Sequence, residues 1–385
     1  MTAQPLGVQT TIYCADALVT YAWLCNSWSA VSANFLITIE HLKPMELESL
    51  AKQCQNCAQK NPVIVLGSGA SIPHGIRGMT DLAVWLRDNV QADGGPEAEA
   101  WTLVRTALAA GDHLEAALES KNLPDSLVVK IVRSTWDFIA QDDYSLLKSA
   151  IKAETVFPLR SLFTGLFRST YRNIHVVTTN YDRVAEYAAD SGGYIHHTGF
   201  LPGYLRRADG AEKLIFKQGA NAARTVTVWK VHGSLDWFSD PHGGVMSLPM
   251  TSELPDGLVP LIVTPGVSKY QRTHDEPFRS AIQGADHVLS AATAFICIGY
   301  GFRDSHIHPK LMTRCRVHDA PILMAARTLT PEAKDFLKNN AGRHYLALEN
   351  HDDGTMVYNR DNPDGVVVTG GKYWELPALN ELIGF

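Results

Sequence analysis

The stretch "VVTTNYDR", residues 176–183, shows an apolar strand that becomes polar within three residues. Val176 and Val177 are typical of a strand buried on both faces, and Asn180 and Asp182 follow directly. Asn and Asp are common turn formers, so a simple turn is one interpretation. Open α/β sheets also bind their ligands at the carboxyl ends of strands, so the same residues are candidates for a site.

Other apolar runs resemble this one, and helical patterns lie between several of them. They are "VIVLG" (63–67), "IHVVTT" (174–179), "TVTVWKVHG" (225–233), "LIVT" (261–264), "AFICIGYG" (294–301) and "PILMAA" (321–326). Near-continuous apolar runs are typical of parallel strands covered on both faces. The alternation of strands and helices predicts an α/β fold with a Rossmann-like, doubly wound, mostly parallel sheet.

The predicted organisation is one domain over residues 45–385 with a helical module inserted at about 80–170. About a hundred residues separate the first two strands, more than a simple crossover needs, and most of them have helical periodicity. Residues 191–224 contain glycines and little periodicity, which predicts an irregular excursion.

Residues 1–44 include a long uncharged run, residues 17–39. That length would span a bilayer, but the run holds seven Ser, Thr or Asn residues and no basic residue precedes it. We expect either a genuine N-terminal segment or a translated upstream region of a natural protein that begins at Met45. No function is assigned to it, and we expect a cytoplasmic protein that does not act at a membrane.

Composition excludes some classes of function. The chain has 385 residues, 45% of them hydrophobic, and a net charge of −6, which argues against disorder and against non-specific nucleic-acid binding through a cationic face. Cys54 and Cys57 form a C-x-x-C pair, but no second pair completes a zinc ribbon. They share the apolar face of a helical pattern, which favours core cysteines over a redox pair.

Glycine-rich or polar turns follow four of the apolar runs. Gly67 and Gly69 in "GSGAS" would allow a tight turn and a close approach to a phosphate, although Ile72 replaces the third glycine of G-x-G-x-x-G. A plain strand-to-helix turn is the alternative. His232 ends another run beside a small-residue turn, from which an imidazole can reach a cleft, and "GYGFRD" begins at Gly299. Four such turns predict one site at the carboxyl edge of the sheet.

Two histidine pairs have the composition of metal ligands but lack a third ligand nearby. They are His196–His197 and His306–His308, which we interpret as surface or capping residues. No metal is expected.

The motifs "GSGAS", "TTNYD", "HGS" and "GYGFRD", in this order, resemble the bacterial sirtuin-like domain over about residues 60–327. The resemblance implies a Rossmann-like fold that binds NAD. No cysteine lies between His232 and Cys297, so the zinc module of deacylating sirtuins is missing, and "GYG" stands where deacylases commonly have G-T-S. Both departures resemble the sirtuin-like domains of prokaryotic antiphage systems, members of which hydrolyse NAD.

The resemblance also implies roles for individual residues. Asn180 would orient water at the nicotinamide ribose, accepting from the water while donating to a ribose hydroxyl, and His232 would be the general base. Asp182 would hold the nicotinamide end or the local turn. The pyrophosphate cradle would be Gly67, Ser68, Gly69, Ala70 and Ser71. Further NAD contacts would come from Thr179, Gly233 and Ser234, and the adenosine part would face Gly299, Tyr300, Gly301 and Asp304.

The implied activity is that of an NAD glycohydrolase, which releases nicotinamide and ADP-ribose and acts as an abortive-infection effector against phage. NAD is then a substrate. A homo-oligomer and a separately encoded ATPase or sensor partner are expected, since such an enzyme needs an inactive state. Two alternatives stay open: an NAD-dependent protein deacylase, and a non-catalytic module that binds NAD or ADP-ribose and regulates a partner.

Overall fold

The computed structural model describes residues 47–119, 123–208, 214–249, 251–264, 275–304 and 306–385. The predicted N-terminal segment, residues 1–44, lies outside the described residues. None of the described helices is both long and apolar enough to cross a membrane.

The strands form a large sheet and two small ones. Numbered along the chain, they are β1 (Val63–Leu66), β2 (Asn173–Thr178), β3 (Ile195–His197), β4 (Arg206–Arg207), β5 (Lys217–Gln218), β6 (Asn221–Ala222), β7 (Thr225–Lys230), β8 (Gly233–Ser239), β9 (Val245–Ser247), β10 (Val259–Ile262), β11 (Phe295–Ile298), β12 (Ile322–Ala326), β13 (Tyr345–His351), β14 (Gly354–Asn359) and β15 (Val366–Thr369).

The large sheet has the strand order β15-β14-β13-β12-β11-β1-β2-β7-β3. The pairs from β13 to β3 are parallel, and only the pairs that add β14 and β15 are antiparallel. The chain passes from β1 to β2 on one side, and β11 lies on the other side of β1. The order therefore reverses between β1 and β11, which confirms the predicted doubly wound, mostly parallel sheet.

Both faces of the sheet are covered, which explains why its strands are apolar throughout. Ile64 and Leu66 pack into one hydrophobic core, and Val63 and Val65 pack into the other. Successive side chains of a strand point to opposite faces, so a strand covered on both faces needs apolar residues at every position.

Two of the predicted strands differ from those observed. The run 225–233 is not one strand, because β7 ends at Lys230 and Gly233 begins β8 in the antiparallel sheet β10-β8-β9-β4. Gly233 has φ +86°, and a Cβ there would come within 2.1 Å of the Leu261 carbonyl oxygen. The chain thus changes sheets at a position that only glycine tolerates. The run 261–264 likewise contributes to β10 of that sheet and not to the parallel one.

The helices cover the sheet and form the inserted module. They are α1 (Leu47–Ala58), α2 (Met79–Asn89), α3 (Pro96–Ala109), α4 (Leu114–Glu119), α5 (Asp125–Ile151), α6 (Pro158–Leu166), α7 (Val184–Ser191), α8 (Phe278–Ala291), α9 (His308–His318), α10 (Pro331–Asn339) and α11 (Leu376–Ile383). Helices α2–α6 lie between β1 and β2, where the sequence predicts a helical insertion.

One helix has a side-chain cap, and the prediction of core cysteines is confirmed. Thr330 caps α10, since its hydroxyl oxygen accepts from the Ala333 amide at 3.1 Å. Cys54 and Cys57 are buried core residues with free thiols. Burial raises the pKa of the Cys57 thiol to about 12, so it remains protonated and unreactive at neutral pH.

Candidate functional site

The turns that follow β1 and β11 pack backbone against backbone at the point where the strand order reverses. A Cβ on Gly67 would lie 2.3 Å from the Gly299 carbonyl oxygen, and one on Gly69 would lie 2.7 Å from the Gly299 Cα. Gly299 has φ +57°. These glycines therefore allow the two loops to touch each other, a stricter requirement than the predicted approach to a phosphate.

Most amides of the predicted phosphate cradle already have acceptors within the protein. The Gly67 and Gly69 amides donate to residues 298 and 299, and the Ala70 and Ser71 amides close 3₁₀ turns onto residues 67 and 68. The Ser68 amide is the one cradle amide without an acceptor among the described residues. The pyrophosphate cradle stays a prediction, and in this arrangement the other four amides would have to exchange their internal acceptors to reach a ligand.

Asn180 is held in one orientation by the turn after β1. Its Nδ2 donates to the Gly67 carbonyl at 2.9 Å and to the Ser71 hydroxyl at 3.0 Å. A carbonyl can only accept, so the amide nitrogen must face Gly67 and the Oδ1 atom must point away. Oδ1 has no partner among the described residues. Asn180 can thus accept a hydrogen bond from a ligand. The expected donation to a ribose hydroxyl stays a prediction, and it would require Nδ2 to exchange one of these two internal hydrogen bonds.

Asp182 is buried, and its carboxylate forms hydrogen bonds within the turn that follows β2. One carboxylate oxygen accepts from the Val184 amide at 3.2 Å, and the Ser71 hydroxyl donates to the same group. Burial, together with the nearby Asp143 charge, raises the pKa of Asp182 to about 6, although Lys230 and these hydrogen bonds act in the opposite direction. This placement favours the local-turn alternative over a contact with nicotinamide.

Sequence reasoning missed two buried charges beneath this turn. Lys230, the last residue of β7, is fully buried, and its ammonium donates to the Asp182 carbonyl and to Glu186 Oε1, the latter at 3.1 Å. A lysine inside the run "TVTVWKV" was the available signal, because a buried charge requires a partner.

A second buried ion pair fastens the helical module to the loop after β2. Asp143 of α5 accepts from the Arg183 amide at 2.8 Å and from its guanidinium at 2.6 Å. The Tyr187 hydroxyl donates to the same carboxylate at 2.7 Å. Arg183 closes the stretch "VVTTNYDR", so this stretch joins the sheet, the site and the insertion.

His232 lies in the short turn between β7 and β8, with its Nε2 atom 2.9 Å from Asp304 Oδ2. This is ion-pair distance, although the ring N–H is not aimed squarely at the oxygen. The neighbouring carboxylate favours the tautomer with hydrogen on Nε2, which leaves Nδ1 as an acceptor. Nδ1 has no hydrogen-bond partner among the described residues.

Asp304 is fixed from two sides. Its Oδ1 accepts from the His306 and Ile307 amides, each at 2.9 Å. Burial alone would raise the pKa of Asp304, but His232 and these amides outweigh burial and hold it below its usual range. The sequence assigned Asp304 to the adenosine part of NAD. The structure instead commits its carboxylate to His232 and to the loop after β11.

Strand register brings Asn180 and His232 to the same level of the sheet. Thr178 of β2 is paired with Lys230 of β7, and each site residue comes two positions later on its chain. Neighbouring strands lie about 4.8 Å apart, so both side chains are positioned at one part of the carboxyl edge.

The other predicted NAD contacts differ in how exposed they are at the carboxyl edge. Tyr300 is 6% exposed and packs on Phe302, so its side chain faces the core and only its backbone borders the edge. Ser234 is fully buried within β8. Among these predicted contacts, the residues that keep some exposure are Ser68, Gly69, Thr179, Gly299 and Gly301.

The histidine pairs are not assembled into a metal site. His196 is 2.6 Å from Asp190, and His308 packs against Phe302 and Phe336. Across the ranges that the structure describes, no group of three or more His, Cys, Asp or Glu side chains is arranged to hold a metal ion.

A family profile described as a SIR2-like domain matches residues 174–319, which include Asn180, His232 and Asp304. No curated protein sequence matches the chain significantly. The chain is also similar in structure to several Sir2 proteins. One, from a study of the mechanism and regulation of Sir2 enzymes, is 13% identical with a TM-score of 0.44, covering 88% of this chain and 98% of that one.

Two further solved structures carry ligands. A Sir2 homologue mutant in complex with ADP-ribose is 13% identical, with a TM-score of 0.43 and coverage of 86% of this chain and 96% of that one. A Sir2 complex with a p53 peptide and NAD⁺ is 13% identical, with a TM-score of 0.39 and coverage of 83% and 95%. Similarity at this level is a likeness of fold alone.

Proposed function

We propose that this protein hydrolyses NAD to nicotinamide and ADP-ribose at the carboxyl edge of β1, β2, β7 and β11. Three features support the proposal: the order of the four motifs, the match of residues 174–319 to the SIR2-like profile, and the contacts of Asn180 and His232 with the loops that follow β1 and β11, between which the strand order reverses.

The choice of water as the attacking group rests on two hydrogen-bond acceptors, one on Asn180 and one on His232, that have no partner among the described residues. Asn180 offers Oδ1 and His232 offers Nδ1, and both atoms are acceptors because their partner atoms are committed. A water molecule has two hydrogens and fits two acceptors. An acyl carbonyl oxygen can only accept, so it finds no complementary group on these two side chains.

The chemistry requires only modest proton transfer. The bond from C1′ of the ribose to the nicotinamide nitrogen breaks, and its electron pair returns to the ring to give neutral nicotinamide. Water forms the new C1′–O bond, and the proton that it loses passes to Nδ1 of His232 and then to solvent. Asp304 stabilises the imidazolium that forms. A positioned base of this kind contributes about 10²–10⁴-fold to the rate.

The direct test measures nicotinamide release from NAD by the full chain and by Asn180→Ala and His232→Ala. We expect both variants to lose turnover by at least about 10²-fold because each removes one acceptor for the attacking water. His196→Ala is the matched control, since His196 also pairs with an aspartate but lies away from Asn180, and it should retain full turnover. Wild-type rates in a folded Asn180→Ala or His232→Ala would refute the mechanism.

The same assay with and without an acylated peptide separates the alternatives. Peptide-independent release of ADP-ribose is the expected result. Release that strictly requires the peptide would identify a deacylase, and tight NAD binding without turnover under any condition would identify a regulatory module.

We place this activity in antiphage defence, where NAD depletion would stop an infected cell. The support is the resemblance to prokaryotic defence domains that lack the zinc module. Expression of the wild-type chain should lower cellular NAD and arrest growth, and the His232→Ala variant should do neither. A homo-oligomer, a separately encoded ATPase or sensor partner and a cytoplasmic location remain predictions.

A further inference from the structure

A cavity of about 470 Å³ lies at the opposite, amino-terminal edge of the parallel sheet. It is enclosed by the end of α1, the beginnings of β12 and β13, and the turn after β14. Its lining includes Gln53, Lys60, Ile322, Arg343, Leu346 and Arg360. This volume lies within the range of small-molecule sites in proteins. None of these residues belongs to the candidate site at the carboxyl edge.

The cavity is cationic in an acidic protein. Lys60, Arg343 and Arg360 line it together with a single carboxylate, that of Asp361, whereas the whole chain carries a net charge of −6. Arg343 is paired with Asp319. Lys60 and Arg360 form no ion pair with the described residues, so their charges are available to a ligand. An anion is therefore the complementary class of ligand.

The cavity combines a tyrosine side chain with polar walls. Tyr345 is half-buried in its lining, whereas Ile322 and Leu346 are nearly inaccessible and point to opposite faces of the sheet. Gln53 and Asn56 of α1 add side-chain amides that can bond oxygen or ring nitrogen atoms. A flat ring with a sugar and an anionic group matches this combination better than a bare inorganic ion does.

We propose that the cavity binds a small phosphate ester of mononucleotide size. Lys60 and Arg360 hold the phosphate, because guanidinium and ammonium groups form strong charge-assisted hydrogen bonds with phosphate oxygens. The base packs against the half-buried Tyr345, and the Asp361 carboxylate accepts from sugar hydroxyls. This proposal does not depend on NAD hydrolysis, since the cavity shares no residue with the candidate site at the carboxyl edge.

Calorimetric titration of the full chain with adenosine monophosphate, ribose 5-phosphate and inorganic phosphate tests the proposal. We expect affinity to fall in that order. The double variant Lys60→Glu/Arg360→Glu should weaken nucleotide binding by at least about 100-fold, because two charged contacts become repulsive. Both residues are exposed, so the unfolding temperature of the variant should stay near that of the wild type.

The matched control is Lys52→Glu/Lys338→Glu, which changes the net charge equally at exposed positions outside the cavity and should bind as the wild type does. Asn180→Ala should also bind the mononucleotide normally, which separates this cavity from the site at the carboxyl edge. Unchanged binding by Lys60→Glu/Arg360→Glu, equal affinity for all three probes, or no binding by the wild type would each overturn the proposal.

Discussion

Asp182 and Asp304 are two carboxylates at the carboxyl edge of the same sheet, and their pKa values are shifted in opposite directions although their burial is nearly equal. They are 6% and 7% exposed, respectively. Burial raises the pKa of both, yet the pKa of Asp182 is raised to about 6 and that of Asp304 is lowered. Their partners therefore determine the direction of the net shift, and burial alone does not.

The two pKa shifts differ in direction because the two carboxylates have different hydrogen-bond partners and neighbouring charges. Asp304 faces an imidazole and accepts from two amides, so its ionised form is well solvated by the protein. Asp182 lies near the Asp143 charge, and the Lys230 ammonium beside it donates to its backbone carbonyl and to Glu186. Asp304 is thus suited to support His232, and Asp182 is suited to hold a turn.

The largest effect on this comparison is expected from Asp304→Asn. The asparagine oxygen can keep both amide bonds of the loop, which places its NH₂ group toward His232 Nε2. His232 Nε2 would then become an acceptor, and Nδ1 would carry the hydrogen and lose its basicity. We expect kcat for NAD hydrolysis to fall about 10³–10⁴-fold, measured by nicotinamide release. Thermal unfolding should show that the variant is still folded at pH 7, although it loses the stability that the ionised carboxylate contributes.

A double variant distinguishes a positioning role of Asp304 from a merely structural one. His232→Ala/Asp304→Asn should turn over NAD no more slowly than His232→Ala alone, because the effects of mutating residues that act as one unit are not additive. Additive losses in the double variant, or wild-type turnover in Asp304→Asn, would contradict the assignment of Asp304 as the positioning residue for His232.

Sequence patterns predicted the strands that lie in the middle of the sheet because these strands are apolar on both faces. They also predicted that Asn180 and His232 lie at the same edge of the sheet, since each follows the end of an apolar strand and the register of β2 and β7 brings those ends together. They could not predict the pairing of His232 with Asp304, which joins residues 72 positions apart through two loops. The strands β13–β15 were not predicted because they are less continuously apolar: β13 ends in polar residues, β14 alternates buried and half-buried positions, and β14 and β15 join the edge of the sheet as antiparallel strands.

The internal hydrogen bonds of the predicted five-residue cradle could not be predicted for a similar reason. Whether a glycine-rich turn offers its amides to a ligand depends on which neighbouring strand supplies competing carbonyls. Here Ile298 and Gly299 of the loop after β11 accept from Gly67 and Gly69. That contact is long-range, so only the assembled sheet reveals it.

The next largest effect is expected from Lys230→Met, which removes the cation on the Asp182 side of the comparison. Glu186 would keep a buried carboxylate without its partner, and the pKa of Asp182 would rise further. We expect a loss of about 3–5 kcal/mol in the free energy of unfolding, measured by urea denaturation at pH 7.

The control for Lys230 is Lys310→Met, which breaks a half-exposed pair with Asp286 at 3.3 Å and should cost about 1 kcal/mol or less. Lys230→Met/Glu186→Leu should recover part of the stability lost by Lys230→Met, because it removes the uncompensated charge as well. If Lys230→Met were as stable as Lys310→Met, the buried cation would have no role in holding the turn.

The two carboxylates should also give opposite dependences of stability on pH. The folded pKa of Asp182 lies above its unfolded value of 3.8, so the folded state binds more protons between pH 4 and 6, and its contribution to stability falls as the pH rises through that window. The folded pKa of Asp304 lies below 3.8, so its contribution is present above about pH 4 and is lost as the pH falls further.

Asp182→Asn and Asp304→Asn therefore make a matched pair for urea denaturation at a series of pH values from 3 to 7. Relative to Asp182→Asn, the wild type should lose about 3 kcal/mol between pH 4 and 7, since a shift of about two pH units corresponds to that free energy. Relative to Asp304→Asn, the wild type should gain stability as the pH rises from 3 toward 5. Differences of the same sign for both variants would mean that burial alone sets both charges, because then neither carboxylate would be distinguished by its partners.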